Sequence, residues 1–318
     1  MNKYGGLAGV LLLVLVVASG TALPQTAVTV YEIAPGVSLL GAGGTGLAVT
    51  GNPETLYYNA AGLASMGGIS FSSFYSSHLG LANYSAFSLT FRNAGVALLL
   101  LGSGNIDGYD SSGNPTGTLS YRNTGFLFGF GASPDTLSFL PRLPIDYAVG
   151  ARLKAVTARL GDGSGAGFAF DLGAQAMLAD MSLGGVSITD ITFGLVLGNL
   201  FGTMSYDTTQ EAFLMEFRMG ASALFLDMVR AAVDMNLSGS VNVGLAYQPV
   251  PTLELRLGVI SQGPTSITAG IGVNVEGVLI DYAYASHPLG GSHRVSLTLD
   301  FSALDVASLT NSLRRILP

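Results

Sequence analysis

The chain has 318 residues, of which 49% are apolar and only 10% are charged. Soluble domains usually carry about 25% charged residues, so the composition disfavours both a disordered chain and an ordinary cytosolic enzyme. A net charge of -7 without a basic cluster excludes nucleic acid as a partner. The absence of cysteine excludes disulfides and cysteine-based metal sites. The apolar residues must therefore face either a very large core or lipid.

The first 22 residues have the pattern of a secretory signal peptide. Lys3 precedes an apolar stretch from Leu7 to Val17, and small residues follow at 18–22. Because this stretch is short for a membrane-spanning helix, we expect cleavage near residue 20 or 22 and export of the mature chain. A retained membrane anchor is the alternative.

Alternation of apolar with small or polar residues dominates the rest of the sequence. It is clearest over 213–220, 229–238 and 294–301. In a β-strand this pattern places the apolar residues on one face. Since no later apolar run is long enough for a spanning helix, a closed β-barrel is the remaining way to cross a bilayer.

About fourteen segments show the alternation, and many have the 9–11 residues that a tilted membrane strand requires. They lie at 68–77, 83–92, 94–103, 117–131, 145–160, 166–178, 186–200, 211–224, 229–238, 240–249, 252–260, 265–274, 277–286 and 293–301. An even strand number suits a bacterial barrel with both ends in the periplasm. We predict an all-β fold, a transmembrane antiparallel β-barrel in the outer membrane of a diderm bacterium. The longer polar connections at 104–116 and 201–210 would then be outer loops.

The predicted inner face of the barrel consists mostly of glycine, alanine, serine and threonine. A secreted β-sandwich would instead need a well-solvated outer face. The few charges on this face have both signs, which suits a narrow lumen where they can pair. These predicted lumen-facing charges are Arg152, Lys154, Glu216, Arg218, Arg230, Asp234, Glu254, Arg256, Arg294 and Asp300.

The sequence offers little support for catalysis or metal binding. His287 and His293 flank one loop, but no carboxylate lies between them. Asp107, Asp110 and Asn114 resemble a calcium loop without its alternating spacing or closing glutamate. No Gly-x-Ser-x-Gly motif accompanies a histidine and an acid. We predict no enzymatic activity, no cofactor and no metal.

The glycine-rich run at 41–46 superficially matches a dinucleotide-binding fingerprint. That motif requires a preceding strand and a following helix, whereas Gly51-Asn52-Pro53 follows here within a few residues. We therefore interpret the run as tight backbone packing of a segment folded into a confined space.

The N-terminal motifs resemble those of a known family. Leu40–Val49 is rich in glycine, and Glu54–Ala64 contains an aromatic pair followed by Asn59-Ala60-Ala61-Gly62-Leu63. This order is similar to the signature of the PorV/PorQ-type outer-membrane family, which is related to the FadL-type long-chain fatty-acid channels. The similarity extends over most of residues 36–301. The family pattern has proline where this chain has Ala60.

The resemblance implies a 14-stranded barrel whose N-terminal segment folds inward as a hatch. The predicted organisation is a signal peptide at 1–22, a hatch at 23–66, a barrel at 67–301 and a C-terminal amphipathic helix at 302–318. The hatch residues that the resemblance implies are Gly41, Gly43, Gly44, Gly46, Tyr57, Asn59, Ala61 and Gly62.

Two functions remain open at this point. A FadL-like conduit would pass hydrophobic small molecules through a hatch-gated lumen, with an apolar pocket beneath the outer loops. A PorV-like barrel, associated with type IX secretion, would bind exported or envelope proteins through its outer loops. Both would have outer-membrane lipid as a partner, and the short loops slightly favour the conduit.

Overall fold

The computed structural model describes residues 29–206, 209–261 and 263–304. The predicted signal peptide at 1–22 lies outside the described residues, as does the predicted C-terminal helix beyond residue 304. None of the helices in these ranges is long and apolar enough to cross a membrane.

One antiparallel sheet of sixteen strands accounts for most of the described chain. The strands are β1 (Ser70–His78), β2 (Ala82–Phe91), β3 (Ala94–Tyr109), β4 (Pro115–Ala132), β5 (Asp146–Leu160), β6 (Gly163–Met177), β7 (Met181–Leu183), β8 (Val186–Tyr206), β9 (Gln210–Ala212), β10 (Glu216–Phe225), β11 (Val229–Asn236), β12 (Val241–Val250), β13 (Leu253–Ser261), β14 (Ser266–Val275), β15 (Val278–Ala285) and β16 (Ser292–Asp300). Each of the fourteen predicted segments coincides with a long strand. Only the three-residue strands β7 and β9 are additional.

Fourteen of these strands close into a barrel, as predicted. Consecutive long strands pair with one another, β8 pairs with both β6 and β10, and β16 returns to pair with β1. Ser70 at the start of β1 pairs with Asp300 at the end of β16. Both ends of the barrel chain therefore lie on the same side, the arrangement of bacterial outer-membrane barrels.

The barrel exterior is apolar. On β4 the outward side chains of Phe126 and Phe128 are 52% and 50% exposed, whereas the inward Leu127 between them is only 4% exposed. Similar exposed apolar residues occupy the outward positions of the other long strands. An exterior of this kind suits a lipid environment and accounts for the small number of charges in the sequence.

The two predicted outer loops are largely strand. Cross-strand pairing continues from Ile106 opposite Leu119 to Tyr109 opposite Pro115, so most of 104–116 forms a projecting hairpin. Strand β8 continues to Tyr206 and pairs there with β9. The prediction failed because these extensions are rich in glycine, serine and threonine and lack the apolar alternation that marks lipid-facing strands.

The chain before β1, Thr29–Met66, lies inside the barrel and is called the inner segment below. It contains 3-10 turns at Val30–Glu32 and Ala60–Ser65 and two single-turn helices, α1 (Ser38–Gly41) and α2 (Thr55–Tyr58). The turn before β1 contacts β4, β5 and β6, and α1 contacts β13, β14 and β15. Because these strands lie on opposite sides of the barrel, the inner segment crosses the lumen.

Candidate functional site: the inner segment and the lumen

Inward-facing glycines allow the backbone of the inner segment to lie directly on the barrel wall. A Cβ atom at Gly244 would stand 1.9 Å from the carbonyl oxygen of Ala42, and one at Gly194 would stand 2.0 Å from that of Leu47. Such glycines are also register partners on neighbouring strands: Gly131 with Gly150, Gly150 with Gly173, Gly194 with Gly220, and Gly244 with Gly258. The high glycine content thus has a structural role where two backbones approach closely.

The glycine-rich run of the inner segment lies against β11–β14. Gly41 faces Gly270, and the Gly43 N–H donates to Oγ1 of Thr268 at 3.0 Å. At Gly43 the backbone φ is +73° and a Cβ would meet a wall carbonyl at 2.3 Å, so both conformation and space require glycine. Gly44 has a φ of +69°, and the Gly46 N–H donates to a wall carboxylate at 2.8 Å. The structure shows no nucleotide-binding geometry in this run, because its N–H groups already donate to the wall or to carbonyl oxygens of the inner segment itself.

Asn59 ties the inner segment both to itself and to the wall. Its Nδ2 donates to the carbonyl oxygens of Leu47 at 2.8 Å and of Ala174 in β6 at 3.1 Å. Its Oδ1 accepts from the Ala61 N–H at 3.1 Å and so caps the Ala60–Ser65 turn. Asn59 is 1% exposed, so these bonds are shielded from water. The cap forms although Ala60 replaces the proline of the family pattern.

The remaining predicted hatch residues are buried around this cap. Tyr57 is 7% exposed and Ala61 fully buried. At Gly62 a Cβ would stand 2.1 Å from Oγ1 of Thr55, so a larger residue would displace α2.

Glu54 closes the inner segment on itself. Its carboxylate accepts the backbone N–H groups of Val37, Ser38 and Leu39 at 2.7, 3.0 and 2.9 Å, at the start of α1. Burial raises the pKa of the Glu54 carboxyl above its usual value, and the three N–H donors offset part of that rise. Glu54 thereby links the two halves of the inner segment through one buried side chain.

A buried cluster of charges lies where the inner segment meets β5 and β6. Arg152 Nε lies 2.7 Å from Asp171 Oδ2, and Lys154 Nζ lies 2.8 Å from Asp171 Oδ1. Asp171 also accepts the Asn199 N–H at 2.7 Å. Arg152 donates further to the carbonyl oxygen of Tyr57, which connects the cluster to the inner segment. All three charged side chains are at most 7% exposed.

Further ion pairs involve predicted lumen-facing residues. Arg256 Nη1 lies 2.6 Å from Asp281 Oδ1, and Arg256 also contacts Glu254 on its own strand. Arg230 Nη2 lies 2.6 Å from Asp190 Oδ2. The sequence reasoning did not single out Asp171, Asp190 or Asp281 as charged partners in the lumen.

Four other predicted charges have local partners. Asp234 accepts the N–H groups of Gly46 and Leu47 at 2.8 and 3.1 Å, so it holds the inner segment instead of a cation. Arg218 lies 3.3 Å from Glu216 on the same strand. Asp300, at the end of β16, accepts the hydroxyl and N–H of Ser302.

Arg294 is a buried cation without an acidic partner among the described residues. It is 4% exposed, and its Nη1 donates to the carbonyl oxygens of Ala34 and Gly36. Its guanidinium carbon lies 5.9 Å from the ring centre of Phe74 and 6.0 Å from that of Tyr84. Carbonyl and cation–π contacts thus stabilise the Arg294 guanidinium in place of a carboxylate, and they attach the first part of the inner segment to the wall.

The inner segment fills most of the lumen around it. It leaves a cavity of about 150 Å³ beside Lys154, Arg218 and Asp234, and another of about 240 Å³ beside Arg230 and Arg256. Towards the barrel end away from the chain termini, the interior is mostly apolar, although the buried Arg294 and Asn123 lie there too. Val30 packs there in one buried cluster with Phe74, Tyr84, Leu99, Leu101, Val156 and Met204.

The fold has clear neighbours among solved structures. The ΔS2 mutant of the monoaromatic hydrocarbon channel TodX matches with a TM-score of 0.52 and 12% identity, over 84% of this chain and 99% of that one. A ΔS2S3 mutant of TodX matches with a TM-score of 0.50 and 13% identity, over 84% and 99%. A Pseudomonas aeruginosa FadL homologue matches with a TM-score of 0.47 and 9% identity, over 89% and 100%.

This chain shares the TodX fold. No protein-family model matches the sequence, and no curated protein matches it either. The match to TodX confirms the predicted barrel fold, and the likeness to PorV/PorQ stays a prediction. At 12% identity the similarity to TodX concerns the fold alone.

Proposed function

We propose that the chain is an outer-membrane conduit for hydrophobic small molecules and that the inner segment is its hatch. The observation that carries the proposal is the apolar interior around Val30, Leu99 and Met204. A pore for ions or sugars would be lined there by polar side chains that hold water. The fold shared with a monoaromatic hydrocarbon channel supports the same substrate class.

The hatch must move relative to the wall for transport to occur. The cavities of about 150 and 240 Å³ beside it are lined in part by charged side chains and are too small for a continuous path. A hydrophobic molecule that enters from the barrel end away from the chain termini would therefore pass Val30 only after the hatch has moved. The predicted hatch at 23–66 includes the whole inner segment.

A reversible disulfide between the hatch and the barrel wall tests this movement. A Cβ atom at Gly129 in β4 would stand 3.7 Å from the Cβ of Ala60 in the inner segment, and the closer atoms there are the methyl ends of Leu56 and Leu63, which can shift. A disulfide needs a Cβ–Cβ distance of about 3.5–4.5 Å, and the natural chain contains no cysteine to interfere. Ala60→Cys/Gly129→Cys is reconstituted in vesicles, and uptake of labelled toluene and of labelled palmitate is measured before and after oxidation.

We expect oxidation to reduce uptake of at least one probe to the level of vesicles without protein, and a reductant to restore it. The single variants Ala60→Cys and Gly129→Cys control for the effects of substitution and oxidation. Equal uptake by the oxidised and reduced double variant, with the disulfide verified by mass, would refute the hatch. Uptake by the unmodified chain no greater than by empty vesicles would refute the conduit.

A barrel that binds exported or envelope proteins is the second candidate. The hairpin of β3 and β4 projects beyond its neighbours and carries Tyr109, which is 63% exposed, and Leu119, which is 40% exposed. Exposed apolar residues on a projecting element can serve protein docking. Stoichiometric protein partners in a native pull-down, lost on Tyr109→Ser/Leu119→Ser, would favour this function over the conduit.

A further inference from the structure

Two arginines project side by side from the outside of the barrel. Arg122 in β4 and Arg159 in β5 are register partners, and in such pairs the Cβ atoms lie about 4.5–5.5 Å apart. Both are exposed, and both alternate with inward-facing neighbours, Asn123 and Ala158. No carboxylate in the described part of the chain lies within 4.0 Å of either guanidinium. Two like charges directly opposite each other destabilise a strand pair unless an anion neutralises them.

This placement is distinctive among the basic side chains of the described ranges. The other basic residues of the long strands face the lumen, and Arg92 and Arg142 lie in the connections near the chain termini. Arg142 has its own acidic neighbour, since its Nη2 lies 3.7 Å from Asp135 Oδ1. Only Arg122 and Arg159 therefore present positive charge outward at the far end of the barrel.

The arginine pair lies at the height expected for lipid headgroups. On β4 the outward positions run from Phe130 through Phe128 and Phe126 to Thr124 and Arg122. Eight residues separate Phe130 from Arg122, about 27 Å along the strand, or about 20 Å along the barrel axis at a tilt of about 40°. An apolar band of about 25 Å that begins near Phe130 therefore ends close to Arg122. Because the pair is opposite the chain termini, it faces the outer leaflet.

A cavity of about 1380 Å³ adjoins both arginines. Outward-facing Thr124, Thr157 and Ser164 border it, and so do inward-facing residues such as Leu101 and Tyr121, so the cavity extends to the lumen side of the wall as well. The outward-facing side chains are short and offer hydroxyl groups, so they leave room beside the guanidinium groups and can hydrogen-bond oxygen atoms of a headgroup.

We propose that Arg122 and Arg159 bind a phosphate group on the headgroup of an outer-leaflet lipid. Guanidinium groups bind phosphate oxygens in pairs of charge-assisted hydrogen bonds, and two adjacent guanidiniums match the charge of a phosphate monoester. The bound phosphate neutralises the like-charged pair, while the acyl chains lie along the apolar band below it. This site is independent of transport, because it lies on the outside of the barrel wall.

Native mass spectrometry of the detergent-solubilised full chain tests the site. The probes are diphosphorylated lipid A, the same lipid with its phosphates removed, and inorganic phosphate. Arg122→Gln/Arg159→Gln is compared with Arg92→Gln/Arg142→Gln, which removes the same charge from the opposite end. Folding of each variant is checked by its heat-dependent shift in gel mobility. Arg122→Lys/Arg159→Lys keeps the charge and should retain part of the binding.

We expect the unmodified chain and the control to retain diphosphorylated lipid A, and Arg122→Gln/Arg159→Gln to retain at least about tenfold less, since one hydrogen bond to a charged group is worth about that factor. Dephosphorylated lipid A should bind all folded variants equally and weakly. Equal retention of the diphosphorylated lipid by the two glutamine variants would overturn the proposal. Displacement of the lipid by millimolar inorganic phosphate would assign the site to free phosphate instead.

Discussion

Replacement of Asp171 by asparagine should destabilise the barrel far more than replacement of its partner Lys154 by methionine. Among the described residues, Asp171 is the one carboxylate within 4.0 Å of Arg152 or Lys154. The cluster therefore holds two positive charges and one negative charge. Asp171→Asn leaves two buried cations without a counter-charge, whereas Lys154→Met leaves one balanced pair.

The magnitudes follow from burial. The three side chains are 3–7% exposed, so water cannot replace a lost partner without rearrangement. Breaking a buried ion pair from one side costs about 3–5 kcal/mol. Asp171→Asn should lower the free energy of unfolding by about that amount, and Lys154→Met by about 1 kcal/mol. The double variant should be more stable than Asp171→Asn alone, because it contains one uncompensated cation fewer.

Urea unfolding in lipid vesicles measures these differences. Because the chain has no tryptophan, the transition is followed by far-ultraviolet circular dichroism instead of indole fluorescence. A cost for Lys154→Met equal to or above that for Asp171→Asn would refute the reasoning, since it would mean that the cluster does not have a surplus of positive charge.

Three further substitutions probe how the inner segment is held, each read out as entry of a bulky antibiotic into cells that express the variant. Asn59→Ala leaves the buried Ala61 N–H without its acceptor and removes one donor from the Leu47 and Ala174 carbonyl oxygens, which costs about 1–3 kcal/mol, and should raise entry. Gly244→Ala places a Cβ 1.9 Å from the inner-segment backbone and should also raise entry, whereas Gly104→Ala, where a Cβ would meet nothing within 4 Å, should not. Glu54→Gln should raise entry less than Asn59→Ala, because the amide oxygen still accepts from the start of α1. Unchanged entry for both Asn59→Ala and Gly244→Ala would show that these contacts do not hold the inner segment in place.

The strands were predictable because a wall with lipid on one side shows its two faces directly as alternation. The pairing of particular charges was not predictable from the sequence. The alternation puts Asp171 in phase with Gly173, on the inner face, but its contact with Arg152 depends on the register of β5 against β6. Register is set by hairpin geometry and by packing, which a single sequence does not specify. The adjacency of Arg122 and Arg159 has the same origin.

The way the inner segment is held bears on whether it can move. Among the described residues, eight wall side chains hydrogen-bond its backbone or side chains: Tyr84, Arg152, Gln175, Asp190, Ser222, Asp234, Thr268 and Arg294. All are polar, so water can replace the inner segment at each of them, and a net contribution of about 1 kcal/mol per side chain gives about 8 kcal/mol in total. Burial of apolar side chains such as Leu56 and Leu63 adds to this total, so the displaced state has a population below about one in a million. A transported molecule must therefore bind the displaced state much more tightly than the closed one, since a ligand shifts an equilibrium only by its differential affinity. If the inner segment is a hatch, substitutions at these eight side chains should raise uptake, and the rise should follow the number of hydrogen bonds that each substitution removes. A fixed plug does not predict this pattern.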